Sequence, residues 1–118
     1  MSDTALAPVL TIDVERCTGG SAIIVHCHGR LVAGVTDILS STVTPLIPDF
    51  KRVILDLSDL KHTDSLGLGT LVRLYVSAKS EGCSLELMHL SQQIRNLLGL
   101  TNLFSVFTVI GENGIKLM

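Results

Sequence analysis

The pattern of apolar and polar positions predicts that the chain opens with a β-hairpin. Within residues 9–15, apolar and polar side chains alternate from Leu10 to Glu15, which is the period of a half-buried strand. A turn signal, Cys-Thr-Gly-Gly, follows at residues 17–20, and residues 21–28 form a second run rich in β-branched side chains. Gly29 is expected to end this second strand.

Downstream, the pattern changes repeatedly between helical spacing and short apolar runs. The run at 52–57 is almost continuously apolar, as in a strand covered on both faces, and Gly82 suits a left-handed cap at the end of the most helical segment. Helices are predicted at residues 36–47, 66–79 and 91–98, and strands at 52–57, 84–89 and 105–110, with 111–118 unassigned. The order β-β-α-β-α-β-α-β predicts an α/β domain: a mixed sheet of about five strands with helices mainly on one face.

Composition narrows the function classes. A chain of 118 residues with 47% hydrophobic residues fits one folded domain, expected to span 1–118 with a flexible stretch at 1–7. Aromatic residues make up 3% and the net charge is −2, so we expect no nucleic-acid partner. No apolar run approaches the roughly 20 residues of a membrane helix, and residues 1–7 lack a signal-peptide pattern. Three cysteines without paired spacing favour a reducing, cytoplasmic location and no metal framework.

The segment 53–69 combines a buried strand, a polar stretch and a glycine-spaced helix start. Ser65 is expected to be the N-cap residue, with its hydroxyl beside the free N–H groups of the first helical turn. Gly67 and Gly69 would let another molecule approach the backbone. A phosphate at Ser65 would be tolerated by the helix N-terminus yet would repel acidic or apolar partner surfaces. The same residues also fit an ordinary cap and close helix–strand packing.

Other candidate residues carry weaker signals. His26 and His28 share one face of a strand, but no further ligand cluster is visible for a metal. His62 lies near Ser65 without the motifs of a nucleophilic triad. Leu66 and Leu68 fit an exposed apolar patch and the core equally well.

The motifs that begin with the buried strand at 53 and the Asp64-Ser65 helix start follow one another as in the STAS domain of the anti-sigma factor antagonists, and the chain resembles that domain. The resemblance extends over residues 53–107, and the upstream Gly29-Arg30-Leu31 resembles the Gly-x-Leu turn of that family. The matching motifs are Asp56-Leu57, Asp64-Ser65, Gly67-Leu68-Gly69, Gly82, Leu97-Leu98 and Leu103-Phe104. The Asp-Ser-x-Gly-Leu-Gly signature is the most specific of them.

The resemblance implies a partner-switching protein rather than an enzyme. The unmodified form would bind an anti-sigma factor that is also a serine kinase of the GHKL type, and so release a sigma factor. That kinase would phosphorylate Ser65 with ATP, and a PPM-type phosphatase would reverse it; this chain itself would need no cofactor and act as a monomer or weak dimer. By position, Ser65 matches the phosphoacceptor and Asp64 its acidic neighbour. The partner-binding set implied is Arg30, Val32, Asp64, Ser65, Leu66, Gly67, Leu68 and Gly69.

Two departures from the family pattern affect this assignment. Leu66 replaces the Ser or Thr that often follows the phosphoacceptor, which leaves one hydroxyl at the junction and sharpens the assignment to Ser65. Arg30 and Val32 stand where the family often has an acidic residue, which changes the charge offered to the kinase. Two other functions remain open: a STAS subunit of an ABC-transporter or stress-signalling assembly, and a nucleotide or small-ligand sensor using the helix N-terminus.

Overall fold

A computed structural model describes residues 9–103 and 106–110 of the protein. The order of elements is the predicted one. The strands are β1 Leu10–Arg16, β2 Ala22–Leu31, β3 Arg52–Thr63, β4 Ser84–Met88 and β5 Thr108–Ile110, and the helices are α1 Thr36–Val43, α2 Ser65–Ser80 and α3 Gln92–Leu100. The predictions made for residues 1–7, for Phe104 and for 111–118 lie outside the described residues.

The five strands form one mixed sheet in the order β1-β2-β3-β4-β5. β1 and β2 are antiparallel and joined by the predicted hairpin, whereas β2–β3, β3–β4 and β4–β5 are parallel. The connections between these parallel neighbours contain α1, α2 and α3 respectively, as parallel neighbours require a crossover. The α/β fold with a mixed sheet of about five strands is therefore confirmed.

One apolar cluster forms the core on one face of the sheet. All three helices contribute to it, which confirms that the helices lie mainly on one face. The fully buried members include Val25, Leu55, Leu57, Leu71, Leu87 and Ile94. Because apolar side chains alternate along β2, the polar residues between them point to the opposite face of the sheet.

Two strands are longer than predicted. β2 continues through Gly29 to Leu31, and β3 continues through the polar stretch after Leu57 to Thr63. Parallel pairing of these two extensions satisfies their backbone groups despite the polar sequence, with irregularities in register between His26 and His28 and again after Gly29. Gly29 has φ +105° and lies against the carbonyl of Val9, so glycine permits the irregularity instead of ending the strand.

Other boundaries also differ from the prediction. α1 ends at Val43 and is followed by a 3₁₀ turn, Thr44–Leu46, because Pro45 has no N–H to continue the α-helical hydrogen bonds. Ser91 lies outside α3 as its N-cap, with its hydroxyl accepting the Ile94 N–H at 3.2 Å. β5 begins at Thr108, so residues 106 and 107 of the predicted strand precede it, and residue 105 lies outside the described residues. Gly82 adopts φ +76° after α2, as predicted for a left-handed cap.

Candidate functional site

The carboxyl ends of β2 and β3 bring two predicted partner-binding segments together. Leu31 and Thr63 are paired in register at these ends. The Thr63 hydroxyl donates to the Leu31 carbonyl at 2.7 Å, and the Asp64 N–H donates to the same carbonyl at 3.4 Å. The loop that follows β2 and the first turn of α2 therefore start side by side.

Asp64 is the N-cap of α2, so the prediction that Ser65 caps the helix is wrong. Asp64 is extended (φ −109°, ψ −173°), and its Oδ1 accepts the Gly67 N–H at 2.9 Å. Its Oδ2 accepts the Ala33 N–H at 2.9 Å. The hydrogen bonds from Ala33 and Gly67 lower the pKa of Asp64, because they stabilise the ionised carboxylate. One carboxylate thus joins the β2–α1 loop to the first turn of α2.

Ser65 is the first residue of α2 and is exposed to solvent. Since Asp64 provides the cap, capping does not require the Ser65 hydroxyl. Leu66 beside it is 58% exposed, whereas Leu68 is only 6% exposed and belongs to the core. The two interpretations, an exposed patch and the core, therefore each apply to one leucine. Leu66 forms an exposed apolar surface next to Ser65, and Leu68 packs in the core.

The two glycines of the motif have different surroundings. Gly67 is buried, and a Cβ there would overlap the Thr63 hydroxyl and the Leu31 carbonyl. Gly67 is therefore required by internal packing, and the prediction that it opens the backbone to another molecule is wrong. A Cβ on Gly69 would meet nothing within 4 Å, so that position remains accessible.

The other candidate residues border this junction. Arg30 is exposed near the end of β2, and its backbone N–H donates to the Val9 carbonyl at 2.8 Å. Val32 is half-buried in the loop that contains Ala33. No local motif indicates the roles of Ala33 and Thr63, because both act through pairing between β2 and β3. An aspartate three residues before Gly67 was a local signal for the cap.

The histidines take other roles. His62 lies near Ser65 in sequence, but its Nδ1 accepts from the Gln93 side chain of α3 at 3.0 Å. His26 and His28 share a face as predicted, and both contact carboxylates of neighbouring strands. Within residues 9–103 and 106–110, no group of three or more His, Cys, Asp or Glu side chains has the arrangement of a metal site. None of the helices in these ranges is long and apolar enough to cross a membrane.

The chain is similar in sequence to a known domain family and to a characterised protein. The family model described as STAS domain matches residues 13–113. The chain is 26% identical over 109 residues to the anti-sigma-B factor antagonist of Bacillus subtilis (strain 168), covering 91% of this chain and 100% of that protein.

Solved structures agree on the fold. The crystal structure of an anti-sigma factor antagonist from Mycobacterium paratuberculosis is similar with a TM-score of 0.76 and 22% identity, covering 87% of each chain. The Bacillus anti-sigma factor antagonist SpoIIAA in its unphosphorylated form has a TM-score of 0.71 and 14% identity, covering 87% of this chain and 90% of that one. Its phosphorylated form has a TM-score of 0.67 at the same identity, covering 87% and 94%.

Proposed function

Because the chain belongs to the STAS domain family, and because Ser65 stands exposed on a surface formed by two segments, we propose that it is an anti-sigma factor antagonist switched by phosphorylation of Ser65. Support for the activity comes from the similarity to the B. subtilis antagonist over almost the whole chain. Support for the switch comes from the junction itself and from SpoIIAA, which exists in phosphorylated and unphosphorylated forms.

Accessibility is the observation that carries the proposal. A kinase must reach the acceptor hydroxyl without unfolding the protein, and Ser65 is exposed on the first turn of α2 while Asp64 independently caps the helix. Removal or modification of the Ser65 hydroxyl therefore leaves the cap and the Asp64–Ala33 hydrogen bond in place.

The free energy of folding changes little on phosphorylation at this position. The helix N-terminus favours a negative charge by about 0.3–1 kcal/mol. Repulsion between the phosphate and the neighbouring Asp64 carboxylate opposes the helix effect, and solvent screens this repulsion at the exposed helix start. These two small effects largely offset each other, so the phosphorylated domain stays folded.

Binding responds much more strongly than folding. Leu66 is 58% exposed beside Ser65, so a partner that covers this leucine must also desolvate the adjacent phosphate. A phosphoserine carries a charge of about −1.5 to −2 at neutral pH, and its burial beside an apolar contact is unfavourable. The unmodified form therefore binds the anti-sigma factor, and the phosphorylated form releases it.

The partners in this proposal are an anti-sigma factor that is also a GHKL-type serine kinase, and a PPM-type phosphatase that restores Ser65. ATP is bound by the kinase, so this chain is a protein substrate and a binding module that acts in the cytoplasm. The contact surface comprises Arg30, Val32, Asp64, Ser65, Leu66 and Gly69, while Gly67 and Leu68 support it from inside. The positive charge of Arg30 favours an acidic patch on the partner.

Incubation with the cognate kinase and ATP tests the assignment by intact-protein mass spectrometry. The wild-type protein is expected to gain one phosphate, and Ser65→Ala is expected to gain none. Ser80→Ala changes an exposed serine at the other end of α2 and serves as the matched control, which should gain one phosphate like the wild type. A phosphate on Ser65→Ala would refute Ser65 as the acceptor.

A further inference from the structure

Two histidines lie on the face of the sheet opposite the apolar core. His26 and His28 occupy alternate positions of β2, and each is half-buried. The Nδ1 of His26 lies 2.6 Å from Asp56 Oδ2 on β3, and its Nε2 lies 2.8 Å from Glu15 Oε1 on β1. Each flanking strand thus supplies one carboxylate to this ring.

His28 repeats the arrangement one step along the sheet. Its Nδ1 lies 2.8 Å from Asp59 Oδ2 on β3, and its Nε2 lies 3.1 Å from Asp13 Oδ2 on β1. Asp56 and Asp59 are three residues apart, and the irregularity in the register between β2 and β3 places both opposite the two histidines. The three strands β1, β2 and β3 are therefore joined twice by side chains.

The chemistry of the rings sets a condition on these contacts. An ionised carboxylate only accepts hydrogen bonds, and a neutral imidazole has a single N–H donor. A ring that contacts two carboxylates therefore makes both hydrogen bonds only as the imidazolium, with a proton on each nitrogen. When the proton is lost, one of the two carboxylates loses its donor.

Burial decides which contact is lost. The Asp56 side chain is only 10% exposed, so loss of the donor to its Oδ2 carries a high desolvation cost, whereas the Glu15 side chain is 63% exposed. At His28 the β3 carboxylate, Asp59, is 50% exposed and the β1 carboxylate, Asp13, is 78% exposed. Water replaces the lost hydrogen bond at the exposed carboxylates of β1 with little penalty. Among the strands that the structure describes, β1 lies at the edge of the sheet and pairs only with β2, so it is the strand that loosens.

We propose that His26 and His28 form a protonation-dependent clamp that holds β1 to the centre of the sheet and releases it when the imidazolium rings lose a proton. The clamp is independent of phosphorylation at Ser65. It is a regulatory device of the fold, because it converts a change of pH into a change in the order of one strand. β1 is also connected to the proposed partner surface, since the Val9 carbonyl that precedes it accepts the Arg30 N–H.

The groups around His26 raise its pKa and so favour the imidazolium form that the clamp requires. The hydrogen bond with Glu15 raises the pKa of His26, burial opposes this, and Asp56 adds to the increase. Burial alone would raise the pKa of Asp56, but hydrogen bonds from Ser58 and His26 outweigh it and lower the pKa. His89 also contacts Asp56, at 3.1 Å, from the residue that follows β4.

The groups around His28 also raise its pKa. The hydrogen bond with Asp59 raises the pKa of His28, burial opposes this, and Asp13 adds to the increase. Lys61 Nζ lies 3.1 Å from Asp59 Oδ1, and His28 and Lys61 together lower the pKa of Asp59. Both histidines start from an ordinary value of 6.5. The clamp is therefore complete below pH 6.5 and is lost as pH rises through the higher folded pKa.

Amide hydrogen exchange of the full chain, followed by NMR from pH 6 to 8.5, tests the proposal. After division by the intrinsic exchange rate, protection of the β1 amides is expected to fall with pH, by about tenfold for each unit by which a histidine's folded pKa exceeds its unfolded value. Protection in β4 should stay constant. Equal protection of β1 at both ends of the range would overturn the proposal.

Matched variants separate the clamp from other effects of pH. The double variant Asp13→Asn with Glu15→Gln keeps the size of both acceptors and removes their charge, so its β1 protection should no longer depend on pH. His62→Gln changes a histidine that contacts α3 instead of β1 and should respond like the wild type. A wild-type response in the double variant would contradict the proposal. If that variant fails to fold, NMR titration of the wild-type imidazoles decides: pKa values above 6.5 for His26 and His28 are expected, and values at or below 6.5 would overturn it.

Discussion

Gly67→Ala is expected to destabilise the protein, although alanine is the better helix former. A Cβ at this position would overlap the Leu31 carbonyl, which is backbone, and the Thr63 hydroxyl, which already donates to that carbonyl at 2.7 Å. Overpacking in a close-packed region costs about 1–3 kcal/mol. Displacement of the Thr63 hydroxyl adds about 1 kcal/mol for the hydrogen bond. The higher helix propensity of alanine stabilises the protein by about 0.5–1 kcal/mol, so the free energy of unfolding should fall by about 2 kcal/mol in total.

Gly69→Ala is the matched control, because the same change two residues later meets nothing within 4 Å. It should stabilise the protein by about 0.5–1 kcal/mol through helix propensity alone. Urea unfolding followed by circular dichroism at 222 nm measures both variants. With a urea slope of about 1–3 kcal/mol per M, the midpoint of Gly67→Ala should fall by about 0.7–2 M and that of Gly69→Ala should rise by about 0.2–1 M. Gly67→Ala at or above the wild-type midpoint would refute this packing argument.

Three further predictions concern capping and acid stability. Ser91→Ala removes the hydroxyl that caps α3 and should lower the free energy of unfolding in urea by about 1 kcal/mol. An unchanged urea midpoint would contradict this prediction. Asp64→Ala removes both the α2 cap and the bond to Ala33, so its urea midpoint should fall at least as far as that of Ser91→Ala. The folded pKa of Asp64, like those of Asp56 and Asp59, lies below its ordinary value of 3.8, so stability from these groups is complete above that value and is lost as pH falls below it. Thermal unfolding between pH 6 and 2.5 measures this loss, which should be smaller in Asp64→Ala.

The order of elements was predictable because each signal is local. The strict alternation of β1, the apolar run at the start of β3 and the glycine after α2 all act within a few residues, and the structure confirms each of them. The α/β fold and the resemblance to the STAS domain followed from the same segments, and the family match confirms the resemblance. Strand ends were less predictable, because Lys61 and its neighbours have the composition of a loop and become strand only by pairing with β2.

The site was predictable in location but not in its internal contacts. The Asp64-Ser65 motif marked the helix start correctly, yet which of the two residues caps α2 depends on backbone angles that the motif does not specify. The contacts Asp64–Ala33 and Thr63–Leu31 join residues 31 and 32 positions apart, and His26–Asp56 joins residues 30 apart. All three depend on the register between β2 and β3, which cannot be read from either strand alone. The role of Ser65 as phosphoacceptor stays a prediction.

Phosphate at Ser65 is proposed to weaken binding of the anti-sigma factor without unfolding the domain. Isothermal titration of the anti-sigma factor with unphosphorylated and phosphorylated protein measures this directly, with circular dichroism of both forms as the control for folding. We expect the Kd of the phosphorylated form to be at least tenfold higher, which corresponds to about 1.4 kcal/mol of binding free energy, and the two spectra to superimpose. Equal affinity of the two forms, with both folded, would contradict it.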